Sequence, residues 1–289
     1  MLKSSFFEAI NIARTSSAFN PTSPANRNPH PPQQFQQSPT VTALPIRNII
    51  PLLLILLAAP TPDARAQSGD IGFKFVRVQY PNMASGWVSQ FGETWSHDYP
   101  TAEYNFYEAL ERTTSIHVER PSIILELSDD RIFEYPILYL CEPGYWEASE
   151  EDIANLQEYF ARGGFMLFDD FRGEDEWYQL YSQLKRVFPD REPVELPNDH
   201  FIWEIYYSVD PVAAPSLVGG PGRRGGRRGR SQIVDQYFGI FDDEGRLMVM
   251  IAFNQDLGDG WEWPDFNEQN ASLMTFQMGV NFLIYALTH

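Results

Sequence analysis

The sequence predicts an α/β domain built around a mostly parallel sheet, and three stretches carry that expectation. Tyr135–Leu140 (YPILYL) is a short, continuously apolar run, the pattern of a strand covered on both faces. Ser149-Glu150-Glu151-Asp152 then opens a helix with a capping-box-like start, and Ile153, Leu156, Tyr159 and Phe160 share one side of it. Gly163-Gly164 stops that helix, and Phe165–Phe168 is a second buried run. Strand, helix and strand in this order make a βαβ unit with a right-handed connection and parallel strands.

Ahead of this unit the chain changes character twice. Residues 15–40 are rich in Pro, Ser, Asn and Gln and have little to bury, so residues 1–48 read as a disordered leader. An initiation site near Val41 would leave a signal sequence of ordinary length. Arg47-Asn48, the apolar run Ile49–Ala59 and the small-residue site Ala64-Arg65-Ala66 describe a secretory signal peptide over residues 49–66, cleaved after Ala66. The run falls short of the about 20 apolar residues that span a bilayer; the alternative is a membrane anchor at residues 49–59. Residues 67–289 then form a single domain, exported to the periplasm or secreted.

Within that domain, Phe73–Tyr80 (FKFVRVQY) alternates apolar residues with Lys, Arg and Gln and reads as a first strand. Thr101 is placed to cap a helix from Ala102, and Tyr104, Tyr107, Ala109 and Leu110 share a face of it. Extended segments follow at 116–118 and 123–127. Beyond the βαβ unit, Trp177–Val187 is an amphipathic helix ended by Pro189. Phe238–Phe253 reads as a hairpin turning at Asp242-Asp243-Glu244-Gly245, and Ala271–Leu287 is a mostly apolar final helix packed on the sheet. Gly219–Arg230 (GGPGRRGGRRGR) has no apolar anchor and reads as a flexible surface insertion.

Charge limits the partners. Residues 1–66 hold five Lys/Arg and two Asp/Glu, which leaves the rest with 16 basic and 37 acidic residues and a net charge of −21. Such a surface repels nucleic acid and anionic lipid. Cys141 is the only cysteine, so no intramolecular disulfide forms despite the expected export. Neither a phosphate-binding glycine loop nor a paired C-x-x-C or H-E-x-x-H is present.

The stretch YPILYLCEPGYWEASEEDIANLQEYFARGGFMLFDDF, followed by KRVFP, LPNDHFIW, NQDLGDGWEW and MGVNFLIYALTH, resembles a bacterial family known as domain of unknown function 4159. That family is similar to the class I glutamine amidotransferase-like fold, which also houses trehalose-utilisation (ThuA-like) proteins. The resemblance implies a flavodoxin-like three-layer sandwich over about Phe73–His289 and implies no reaction. Amidotransferases carry a nucleophilic cysteine on a turn after a strand. The matching turn here follows Phe168 and holds Asp169-Asp170-Phe171 instead. Without an activated nucleophile, acyl transfer through a thioester is excluded. Cys141 follows the preceding strand and reads as a small buried hydrophobe.

Three constellations remain. Asp169 and Asp170 end a buried strand, where open α/β sheets gather ligands. They can bind a hard divalent cation, act as general acid or base, cap the next helix, or pair with Arg172. His200, in Pro197-Asn198-Asp199-His200, is a candidate base or metal ligand, and His97, flanked by Trp95 and Asp98, is a second candidate histidine. Asn254, Asp256 and Trp261 lie in NQDLGDGW after a strand, where Gly258 and Gly260 permit a tight turn. Asx side chains beside a tryptophan suit a polyol.

Two functions follow. The first is a non-catalytic module binding a carbohydrate-like ligand or a protein partner through Asn254, Asp256, Trp261, His97 and Trp95, with Trp87 and Trp263 nearby. The second is a metal-dependent hydrolase whose divalent cation is held by Asp170, His200 and Asp256.

Overall fold

Seven strands form one sheet: β1 (Val76–Gln79), β2 (Ile123–Glu126), β3 (Ile137–Cys141), β4 (Phe165–Phe171), β5 (Val194–Glu195), β6 (Gln236–Phe241) and β7 (Leu247–Phe253), in the order β2-β1-β3-β4-β7-β6-β5. The first five in that order run parallel; β6 then pairs antiparallel with β7, and β5 antiparallel with β6, at one edge. This computed structural model describes residues 72–81, 93–212, 236–265 and 269–289. The leader 1–48, the segment 49–66 with its cleavage site, Trp87 and the insertion 219–230 lie outside the described residues.

Helices cover both faces. α1 (Thr101–Thr113), α4 (Leu257–Glu262) and α5 (Gln269–Thr288) share a core with Phe75, Tyr139, Leu167, Met250 and Ala252 on one side. α2 (Glu150–Ala161) and α3 (Gly173–Val187) share the other core with Val76, Val78, Leu138, Leu140, Phe168 and Ile251. The result is a mixed α/β layered fold of flavodoxin-like kind, and the parallel β3-α2-β4 unit matches the sequence pattern. Ser149 and Asp152 form the reciprocal capping box, and Gly163, at φ +97°, ends α2 in the left-handed region. α5 is long and apolar enough to cross a membrane, yet 61% of that stretch is buried inside the fold.

Three local expectations change. Thr101 does not cap α1; it is the first helical residue, and the Asp98 carbonyl accepts from the Ala102 amide at 3.0 Å instead. The stretch after β7 is not only a turn: Asp256 accepts from the Asp259 amide and starts the short helix α4. Finally, β1 has no solvated face. Arg77 is fully buried and pairs with buried Glu103 of α1 through Nε and Oε1. Its Nη1 donates to the carbonyls of Trp95 at 3.1 Å and His97 at 2.8 Å, and its guanidinium lies 4.9 Å from the Tyr139 ring centre.

Breaking a buried ion pair from one side leaves an uncompensated charge. Glu103→Ala is therefore expected to destabilise the domain by about 3–5 kcal/mol in urea unfolding, and the double variant Arg77→Met/Glu103→Leu to recover much of that loss. Equal instability of both variants would rule out the charge as the cause.

Candidate functional site

Among the described residues, four non-glycine residues adopt left-handed backbone: Glu142 (φ 53°) and Asn254 (φ 58°) directly after β3 and β7, Asp170 (φ 57°) near the end of β4, and Asp98 (φ 63°) just ahead of α1. Such conformations cost of order 1–3 kcal/mol each and persist where the surrounding structure fixes them. They gather at the edge where the strand order reverses between β1 and β3, the crevice in which open α/β sheets bind ligands.

The paired aspartates divide their work. Regular pleating would send Asp169 and Asp170 to opposite faces, but the ladder to β7 slips between Phe168 and Phe171, and Asp170 turns left-handed there. Asp169 accepts from the amides of Leu257 at 3.1 Å and Gly258 at 2.9 Å and from the Tyr139 hydroxyl at 2.9 Å. It thus anchors the start of α4. Asp170 instead accepts from Arg172 at 2.5 Å through Oδ1 and lies 2.7 Å from His97 Nδ1 through Oδ2.

Two further donors converge on Asp170. Cys141 pairs with Asp169 in the β3–β4 ladder, which brings its Sγ to 3.8 Å from Asp170 Oδ2. Asp98 Oδ1 lies 3.7 Å from His97 Nδ1. One donor atom from each of His97, Asp98, Cys141 and Asp170 falls within 4.8 Å of every other, so these four residues could together hold a metal ion. Three of the four are buried, whereas the His97 side chain is 51% exposed and reaches solvent.

The electrostatics separate neighbouring acids. Burial acts to raise the Asp170 carboxyl, but the His97 hydrogen bond and the Arg172 charge outweigh it and hold it down at about 2. Burial and the Asp170 charge push Glu142 up to about 9, and they push Asp98 and Asp256 well above the carboxylate range. They also raise the Cys141 thiol, the opposite of what an activated nucleophile needs. Burial lifts Asp169 to about 6 despite its three donors. Neighbouring acids with opposed proton affinities mark acid–base sites.

Of the residues expected from sequence, Asp169, Asp170, Asp256, His97 and Asn254 share this edge. Asp256 Oδ2 lies 3.6 Å from Arg172, and Asn254 Oδ1 accepts from the Gly173 amide at 3.0 Å. His200 is not brought to them. Its ring packs against Phe241 and Tyr285, and Phe241 pairs with Leu247 at the start of β7, about 20 Å from that strand's far end. The trio Asp170, His200 and Asp256 therefore does not converge; His97 stands where His200 was expected. Trp261 is buried against Phe106 at 4.9 Å and Tyr139 at 5.7 Å, and Trp95 is buried with its Nε1 on Glu93, so neither offers a face for stacking.

Sequence reasoning missed Asp98, Cys141, Glu142 and Arg77 as parts of the site. The usable signal was register: YLCEPG and LFDDF end adjacent strands of one βαβ unit, which sets Cys141 beside the aspartates.

Asp169→Ala removes three acceptor contacts from buried donors, and a cost of about 2–3 kcal/mol with loosened α4 is expected from urea unfolding and amide exchange of Leu257 and Gly258. In chelator-treated protein, NMR titration should show His97 near 9, raised first by its hydrogen bond to Asp170, and His200 lowered by burial below its usual value. Because the folded value of His97 is raised, its stabilising contribution is full below its unfolded pKa of about 6.5 and fades as pH climbs through about 9. A His97 resonance titrating at or below 6.5 would remove the pairing.

No curated protein matches the chain. The sequence model of a family described as a domain of unknown function (DUF4159) matches residues 74–287, most of the chain and every element of the site. The chain belongs to the DUF4159 family.

Proposed function

We propose that the chain is an exported, metal-dependent hydrolase on an amidotransferase-like fold that has lost its nucleophile. The convergence of His97, Asp98, Cys141 and Asp170 carries this reading. Zinc bonds of about 2.0–2.3 Å in a tetrahedral set place donor atoms roughly 3.3–3.8 Å apart. The separations of 3.7 Å from His97 to Asp98 and 3.8 Å from Cys141 to Asp170 lie in that range, while the 2.7 Å between His97 Nδ1 and Asp170 Oδ2 is a hydrogen bond that an ion would have to open. Cys141 and Asp170 come from the ends of neighbouring strands and His97 from the segment ahead of α1, and three protein ligands plus a water make up a catalytic zinc site.

A bound zinc would supply a water acidified to a pKa of about 7. Asp256 shares a hydrogen bond with Asp170 and faces Arg172; once a bound ion had displaced its proton, it would be the carboxylate placed to take the proton from that water and return it to a leaving group. The water oxygen forms the new bond to the electrophilic centre as the leaving group departs. The amidotransferase-like reading is supported by Asp170, left-handed at a strand-to-helix turn, the kind of turn on which acyl-transfer enzymes mount a nucleophile. Export is supported by the apolar run and Ala-Arg-Ala site over residues 49–66. Among the described residues, non-catalytic binding of a carbohydrate-like ligand or protein partner has Trp263, 44% exposed, as an aromatic surface near α4.

The test is thermal unfolding of the full-length chain with chelator and then with Zn²⁺, Mg²⁺, Mn²⁺ or Ca²⁺. An ion at a hundredfold excess over its Kd should add about 2.7 kcal/mol, a rise of roughly 5–10 °C at about 2–4 °C per kcal/mol. His97→Ala should abolish that rise and His200→Ala should leave it. Asp256→Asn should keep the ion and lower turnover of nitrophenyl ester, phosphate ester or glycoside probes by about 10²-fold or more. No shift with any ion sinks the metal reading. A shift without turnover of any probe returns the domain to binding.

A further inference from the structure

We infer that Asp98 bridges two cations and that α4 completes a second, all-oxygen site with Asp259 and Glu262. The inference rests on the metal reading above. It begins from Asp98, a carboxylate almost wholly buried whose two oxygens both lack a hydrogen-bond donor. A buried carboxylate in that condition is strongly disfavoured unless a cation or donor meets it. The adjacent His97 nitrogen lies 3.7 Å from Oδ1 but sits closer, at 2.7 Å, to Asp170. Asp98 is also held in place: its backbone is left-handed, its carbonyl starts α1, and Arg77 grips the carbonyl of the residue before it.

The two oxygens of Asp98 look toward different neighbours. Oδ1 faces His97 and the first donor set. Oδ2 lies against Gly258, where an added Cβ would approach to 2.3 Å. That glycine leaves the carboxylate room beside α4. Asp259 and Glu262, three positions apart, lie on one face of this helix. One oxygen from each of Asp98, Asp259 and Glu262 falls within 4.8 Å of the others. α4 is fixed at both ends, by Asp169 and Asp256 at its start and by Asn105, whose Nδ2 donates to the carbonyls of Trp261 at 2.8 Å and Glu262 at 3.3 Å.

Donor type separates the two sites. His97 and Cys141 add nitrogen and sulfur to the first, which suits a zinc-class ion. The second offers three carboxylates, the ligands of Mg²⁺, Mn²⁺ or Ca²⁺. Paired cations about 3.5–4 Å apart hold both the attacking and the leaving oxygen of a displacement. A shared carboxylate is the ligand that keeps two ions at such a distance.

The experiment is metal analysis of the full-length chain after equilibration with Zn²⁺ and Mn²⁺ together, by elemental analysis and Mn²⁺ electron paramagnetic resonance. One zinc and one manganese per chain are expected. Glu262→Gln, a change at the half-buried rim, should weaken manganese at least tenfold and leave zinc in place. Asp98→Asn should weaken both, and a thermal melt of each variant checks that it is folded. One zinc with no manganese, or manganese unaffected by Glu262→Gln and Asp259→Asn, overturns the second site while the first stands. Neither metal bound overturns both.

Discussion

Arg77 is fully buried in β1, one strand in from the edge of the sheet, and only a nearby carboxylate makes that position tolerable. Glu103 supplies it from α1. The guanidinium then has donors to spare, and it directs Nη1 at the carbonyls of Trp95 and His97. A buried charge in β1 thus fixes the backbone at Trp95 and His97, and with it the positions of His97 and Asp98. The other site groups depend on sheet geometry: Cys141 and Asp170 are set by the β3–β4 register, and Asp256 by its cap of α4. The remaining variable, where the first loop lies, is settled by one ion pair.

Crowding acids at one sheet edge creates a conflict that the fold resolves unequally. Asp170 keeps its charge because His97 and Arg172 both reach it. That charge then raises Glu142, Asp98 and Asp256, which burial already penalises. The cluster therefore holds protons that a cation would displace, and metal binding there is coupled to proton release. Gly258 has a role in the same economy of space, since a side chain at that position would collide with the Asp98 carboxylate.

The architecture was legible because hydrophobic pattern and punctuation agree over β3, α2 and β4: continuous apolar runs, a capping box and a paired-glycine stop all point one way. The family motif lies on the same residues and is borne out by the match over 74–287. The site was legible only in part. Asp169 and Asp170 announced themselves as polar residues ending a buried strand. Arg77 did not, because a strand with one polar alternate looks half-solvated until a partner from α1 buries it. The DLGDGW stretch reads as a turn since two glycines disfavour helix, and tertiary capping by Asp169 overrides that preference. His200 misled through its flanking acid and aromatics, features of local sequence that carry no information about which sheet edge a loop returns to.

α5 comes after every strand of the sheet, yet it closes a whole layer. Phe276, Met278, Val280, Phe282 and Leu283 cover the face shared with α1 and α4, and Asn281 ties down the 202–207 backbone through three bonds. During synthesis that face is only partly covered, by α1 and then α4, until α5 emerges, whereas the α2–α3 layer has its helices in hand about a hundred residues earlier. A nascent or prematurely terminated chain is thus an adhesive object. Until α5 has docked, one side of an otherwise assembled sheet keeps apolar surface open to wrong partners.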